Sequence, residues 1–185
     1  MKQLELQQHL IKVPAITALF WLTKIFATTF GETGGDALSM SLNLGYLLST
    51  FIFAALFILL LFFQIRAKAY HPYLYWFTII ASTTVGTTLA DFVDRSLGIG
   101  YAGGTSILLA LVCVSLFIWY RVEGSISPHT VNYPRAEIFY WLTITFSQTL
   151  GTALGDWSAD SMGLGYSGGI AVFVTLILVI LLLYL

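Results

Sequence analysis

Asp36, Asp91 and Asp156 each close a Gly-x-x-x-small step, Gly31 to Gly35, Gly86 to Ala90 and Gly151 to Gly155, and each has a second acid close by. Glu32/Asp36 and Asp156/Asp160 are spaced i, i+4 and Asp91/Asp94 i, i+3, so a helix places each pair on one face. Like charges at that spacing repel unless a proton or a cation lies between them. The chemistry expected is therefore a cation or proton site, with Asp36, Asp91 and Asp156 as core ligands and Glu32, Asp94 and Asp160 beside them. His9, His71 and His129 fall in polar segments, and Met40 and Met162 lie beyond the aspartates, so the donors are oxygens. Oxygen donors suit Mg²⁺, Ca²⁺, Mn²⁺, Na⁺ or H⁺ rather than Cu(I) or Zn²⁺. A bound divalent cation is the one cofactor this pattern implies. Thr29, Thr84 and Thr149 recur two residues before the glycine, with Gln148 adjacent, as supporting oxygens. Helical threonines also bond their own i−4 carbonyl, which is the competing use of each hydroxyl.

Two bases share the same segments. Arg95 stands four residues after Asp91, and Lys24 takes the place of Ile79 and Ile144 in the matching segments. Lys24 fits a counter-ion, a proton-coupled switch or a Schiff-base lysine, although one lysine in an aromatic-rich bundle is too common a pattern to argue for the last. Two bases cannot neutralise six acids. Asp94 and Asp160 lie nearest the outer interface, where solvation competes with a ligand role. Trp21, Trp76 and Trp141 read first as interfacial belt residues, with an aromatic cage as the alternative.

The 185 residues are 58% hydrophobic and 9% charged, against about 45–50% and about 25% in soluble proteins. Mean hydropathy is +0.86, which points to an all-α integral membrane protein and excludes soluble enzymes, nucleic-acid binders and disulfide-rich domains. The single cysteine, Cys113, allows no intrachain disulfide or metal knuckle. A helix needs about 20 residues to cross a core of about 30 Å, and six stretches qualify: 13–38, 46–65, 73–96, 101–120, 138–161 and 166–185. Arg66, Lys68, Arg121 and Arg135 fall in two loops and Lys2 and Lys12 precede the first span. The positive-inside rule then places both termini in the cytoplasm, in a multi-pass protein of the inner membrane. The polar start, 1–12, carries no cleaved targeting sequence.

Three copies of one pattern align without a gap over about 30 residues. Each opens with an aromatic-Trp-x-Thr motif at Phe20, Tyr75 or Tyr140, reaches the glycine step and its aspartate, and ends in Leu44-Gly45-Tyr46, Ile99-Gly100-Tyr101 or Leu164-Gly165-Tyr166. Each copy is a helical hairpin, so the single domain 1–185 holds repeats 13–65, 73–120 and 138–185. An even number of spans per repeat makes the copies parallel about an axis along the membrane normal. The odd helices would then converge with their motifs at one depth, and small-residue steps would let their backbones approach closely.

The triple motif resembles a family of bacterial multi-pass, membrane-anchored proteins built from such hairpins. That resemblance implies the fold, and a fourth hairpin in other members, but no activity. This chain stops after its sixth span, and reads as a short member or a truncated one.

No Walker loop, HExxH, GxSxG or nucleotide fingerprint is present, and the longest loop, about 17 residues, has no room for a soluble catalytic domain. The function expected is that of a small transporter or channel, not an enzyme, for a hard divalent ion such as Mn²⁺, or coupled to protons. The alternatives are a non-transporting scaffold or subunit, and a carrier of small organic cations. The expected partners are the lipid bilayer, the ion, and a second copy of the chain.

Overall fold

The computed structural model describes residues 11–184; Lys2, His9 and Leu185, used in the reading above, lie outside them. Among the described residues six helices run in the order α1 (Ala18–Asp36), α2 (Tyr46–Arg66), α3 (Pro72–Asp91), α4 (Gly100–Glu123), α5 (Pro134–Asp156) and α6 (Gly165–Tyr184). Of these, α2 and α4 are long and apolar enough to cross a membrane, and α6 holds a shorter apolar stretch, Gly165–Ile180.

Helix ends follow local chemistry. Residues 11–17 are not helical, contrary to a span beginning at 13. Pro14 has no N–H to give, and Thr17 caps α1 by accepting the Phe20 N–H at 3.2 Å. α5 starts four residues earlier than expected, with Pro134 in the first turn, where its missing donor costs nothing. After each repeated aspartate the backbone widens into one π-helical turn: Ala37–Ser41, Phe92–Ser96 and Trp157–Ser161. Five-residue bonds close these turns, from Leu42 N to Ala37 O at 2.9 Å, Leu97 N to Phe92 O at 3.0 Å and Met162 N to Trp157 O at 3.0 Å. The chain then reverses through a left-handed residue at equivalent places, Asn43, Gly98 and Gly163, types that tolerate positive φ.

Packing steps across the repeats rather than within them. α2 lies on α3 and α4 lies on α5, so each apolar helix covers the first helix of the following repeat. α3 is central, packed by α1, α2 and α5, with thirteen of its twenty residues buried; α1 buries three. α1 and α5 do not pack backbone to backbone, so the odd helices form an open row with α3 in the middle rather than a closed trio. The run Ser82-Thr83-Thr84, polar throughout and β-branched at its two threonines, stays helical inside this core because its hydroxyls return to the backbone. Thr83 Oγ1 donates to Ile79 O at 3.0 Å and Thr84 Oγ1 to Ile80 O at 2.9 Å.

Glycine sets how close these helices lie. A Cβ at Gly31 would stand 2.8 Å from Ile80 O and 2.9 Å from Thr83 Cβ, and one at Gly86 2.6 Å from Thr149 Oγ1. Gly34 has nothing within 4 Å. Gly31→Ala should therefore destabilise the protein by about 1–3 kcal/mol by forcing α1 off α3, whereas Gly34→Ala should be neutral or stabilise by up to about 1 kcal/mol. Thermal unfolding in detergent checks this, and equal effects of the two substitutions would refute the packing argument.

Candidate functional site: a polar seam ending in carboxylates

Every fourth residue of the odd helices lines one seam. On α1 these are Phe20, Lys24, Thr28, Glu32 and Asp36; on α3 Tyr75, Ile79, Thr83, Thr87 and Asp91; on α5 Tyr140, Ile144, Gln148, Thr152 and Asp156. Equivalent positions meet. The Tyr75 and Tyr140 hydroxyls are hydrogen bonded, Thr87 Oγ1 lies 3.3 Å from Thr152 Oγ1, and Gln148 Nε2 donates to Thr83 Oγ1 at 2.7 Å and to Ser82 Oγ at 2.9 Å. At 1.5 Å per residue the four layers from Lys24 to Asp36 span about 18 Å.

The outer layer is held by Arg95. Its Nε lies 2.9 Å from Asp91 Oδ1, an ion pair without hydrogen-bond alignment, and its Nη2 donates to Asp156 Oδ2 at 3.1 Å. The same nitrogen is 3.9 Å from Asp160 Oδ2, which accepts a 2.8 Å bond from the Tyr101 hydroxyl. Asp36 is half-buried within coulombic range of Asp156 and Arg95. Among the described residues neither Glu32 nor Asp36 has an ion-pair partner, and no three acids, histidines or cysteines come close enough to hold one metal ion. Two of the three core aspartates, Asp91 and Asp156, thus hold a guanidinium in this structure, and Asp36 stands beside them unpaired. A direct divalent site would require Arg95 to leave.

Lys24 meets no carboxylate. Its Nζ donates to Gln148 Oε1, bridging α1 and α5 across the gap where their backbones do not touch. Beside this bridge is a cavity of about 250 Å³ lined by Thr28, Glu32, Thr83, Gln148, Gly151 and Thr152. A second cavity, about 330 Å³, lies between α5, α6 and Glu32, with Asp156 and Tyr166 at its polar side and Ile170 and Phe173 at its apolar side. Glu32 lines both.

The remaining expected site residues divide. Asp94 is buried, while Asp160 is exposed, so solvation holds for one of the two. Space for Asp94 comes from Gly104, where a Cβ would stand 1.8 Å from Asp94 Oδ1. Thr84 and Thr149 are buried against the glycine steps of the preceding odd helix, at Gly35 and Gly86, with their hydroxyls returned to Ile80 O and Thr145 O, and Thr29 is exposed, so this threonine position serves helix contact rather than the seam. Gly31, Gly35 and Gly86 contact the neighbouring odd helix, and Ala90 is buried, but Gly151 and Gly155 have nothing within 4 Å. The tryptophans form no common cage: Trp21 is 57% exposed and Trp141 2%, and Trp76 and Trp141 each pack on the aromatic residue one repeat back, Phe20 at 5.6 Å and Tyr75 at 5.5 Å.

A double-mutant cycle tests the Asp94 niche. Gly104→Ala alone should be strongly destabilising, and Asp94→Ala should recover part of the loss, with a coupling of about 0.5–3 kcal/mol in thermal or chemical unfolding. Additive effects would show that the two positions do not share space.

A family model matches the chain three times, over residues 19–70, 74–125 and 139–185, and is described as Repeat of Unknown Function (DUF347). No curated protein and no solved structure matches the chain.

Proposed function

The chain belongs to the family described as Repeat of Unknown Function (DUF347), and we propose, from the seam itself, that it is a small multi-pass membrane transporter in which a proton or small cation competes with Arg95 for the carboxylate layer. One observation carries the reading: an internal cation, the Arg95 guanidinium, sits between Asp91 and Asp156 at the end of a polar seam inside an otherwise apolar chain.

Six crossings, with the loops of Arg66, Lys68, Arg121 and Arg135 on the cytoplasmic side, fit the inner membrane of a bacterial cell. The two helices that meet the length and hydropathy test support this in part, because α1, α3 and α5 carry the polar seam and are underscored for that reason. A carboxylate in hydrocarbon costs at least about 2.5–3.5 kcal/mol, and the acids of such a chain commonly mark ion or proton routes. In this mechanism Glu32 and Asp36, which lack a base of their own, take up the proton or cation. Neutralising them weakens their pull on Arg95, and the guanidinium redistributes among Asp91, Asp156 and Asp160. Proton coupling needs no rearrangement of ligands, whereas a divalent ion such as Mn²⁺ needs Arg95 displaced, so the geometry favours the proton or a monovalent ion.

Purified protein should unfold at a temperature that depends on pH or on one of Na⁺, Mg²⁺, Ca²⁺ and Mn²⁺. A ligand at about 100 times its dissociation constant adds about 2.7 kcal/mol. Arg95→Ala should strengthen the response by vacating the layer, and Asp156→Asn should abolish it. Proteoliposomes should show the matching flux, lost in the variant with all of Asp36, Asp91 and Asp156 changed to Asn. A flat response in the wild type and in Arg95→Ala would assign the layer to architecture and the protein to a scaffold role.

A further inference from the structure

Four contacts in this molecule run from one repeat to the next, and all four stop at the same place. Each second helix covers the following first helix, α2 on α3 and α4 on α5, but α6 touches little beyond the π turn Trp157–Ser161. Each glycine face receives the threonine face of the next odd helix: Gly31 and Gly35 meet Thr83, Thr84 and Thr88, and Gly86 meets Thr149, but Gly151 and Gly155 meet nothing within 4 Å. Tyr101 bonds Asp160 one repeat on, and Tyr46 reaches Arg95, but Tyr166 is 77% exposed. Phe20 packs on Trp76 and Tyr75 on Trp141, whereas Tyr140 packs on Trp119 of the preceding repeat and on its own neighbour Trp141.

The complementary halves of these contacts are exposed on α1. Thr29 and Thr33, the counterparts of Thr84 and Thr88, are uncovered. Phe26 and Phe30 are 68% and 67% exposed, while their counterparts Ala81 and Val85 on α3 are 3% and 7% exposed. Trp21, the tryptophan of this helix, is exposed as well. The open face at the end of the row and the open face at its start are thus the two sides of the contact that the chain already makes twice internally.

We propose that the α5–α6 face of one copy receives α1 of a second copy, placing the partner's Thr29 and Thr33 on Gly151 and Gly155. A two-fold exchange, each α1 covering the other copy's α5, satisfies both open faces in a closed pair and leaves no end for further growth. It also walls off the 330 Å³ cavity, so that Glu32 and Asp156 face protein rather than lipid. The proposal rests on the repeat geometry and stands whether or not the seam transports anything.

The test is mass and cross-linking of the full chain in lipid nanodiscs. The wild type should carry twice the 20.5 kDa chain mass. In a Cys113→Ser background, co-expressed chains with different tags, one with Thr29→Cys and the other with Gly151→Cys, should form a disulfide joining the tags. A pair carrying Ile58→Cys, on the exposed side of α2, should form none. Gly151→Trp, at a position with open space around it, should give single chains of unchanged helix content. Single-chain mass for the wild type would overturn the proposal and assign the face to lipid or to another helix. A double mass that survives Gly151→Trp, or that cross-links through Ile58 and not through Thr29 and Gly151, would overturn it equally.

Discussion

Six acids and one guanidinium at the end of an apolar bundle form the constraint from which the packing of the odd helices follows. Arg95 comes from the π turn that follows α3, the central helix, and its planar fork takes Asp91 at the end of α3 and Asp156 at the end of α5 together. A charge-assisted contact of that kind is among the stronger polar links available, and the rigid guanidinium fork fixes the two acids relative to each other in a way that a lysine's mobile point charge does not. It ties α3 to α5 and leaves the acids of α1 without a base. The opening between α1 and α5 therefore falls where the counter-charge runs out. What crosses that opening is Lys24, reaching a neutral amide.

The same economy of space governs the outer ends of the hairpins. Each aspartate is the last residue of an α-helix, and the π turn behind it shifts the following side chains out of the every-fourth-residue register. In the second repeat that shift sends Asp94 into the niche above Gly104, and in the third it brings Ser158 Oγ within 3.2 Å of the Cβ position at Gly169. Gly104 and Gly169 are thus partners of the π turns, ten and eleven residues away, whereas a Cβ at Gly103 or Gly168 would meet Ile99 or Leu164.

Much of the seam was legible in the sequence, because it is periodic. The aspartates, the glycine steps and the aromatic-Trp motif sit at fixed spacings, and i, i+4 arithmetic alone puts Glu32 on the face of Asp36. Lys24 already aligns with Ile79 and Ile144, and extending the same arithmetic to Thr28 and Glu32, level with Thr83 and Thr87, points to these neighbours rather than to Thr29, Thr84 and Thr149. The order of packing was not legible. A hairpin suggests that its two helices pair, yet here each apolar helix crosses to the next repeat, a choice made by the π turn and the left-handed residue after it, neither of which has a hydropathy signature. Spacing pairs Arg95 with Asp91 at i, i+4, as the structure has it, but could not show that the same guanidinium also takes Asp156, or that Trp21 and Trp141, equivalent in sequence, would differ in burial through standing at opposite ends of an open row.

The end of the bundle away from the carboxylates is built in the opposite sense. There Lys12 Nζ pairs with Glu137 Oε1 at 2.5 Å and donates to Ile65 O at 2.9 Å, tying the segment before α1 to α2 and α5. Lys12 and Glu137 are both buried, and a buried pair of this kind adds little net stability although breaking it is costly. Its effect is to fix which surfaces meet. Above it the bonded Tyr75 and Tyr140 hydroxyls and the packed Trp141 close the seam, and Ile79 and Ile144 floor the polar layers beside Lys24. On the transport reading, an ion arriving from the carboxylate end can descend as far as Lys24, where an ammonium and two isoleucines oppose it. Passage then requires α1 to move away from α5 at the level of Lys24, where the Lys24 to Gln148 contact is the link across the gap, while the Lys12–Glu137 pair holds the segment before α1 to α5 at the far end. On that reading the sealed end is the hinge and α1 is the part that must move.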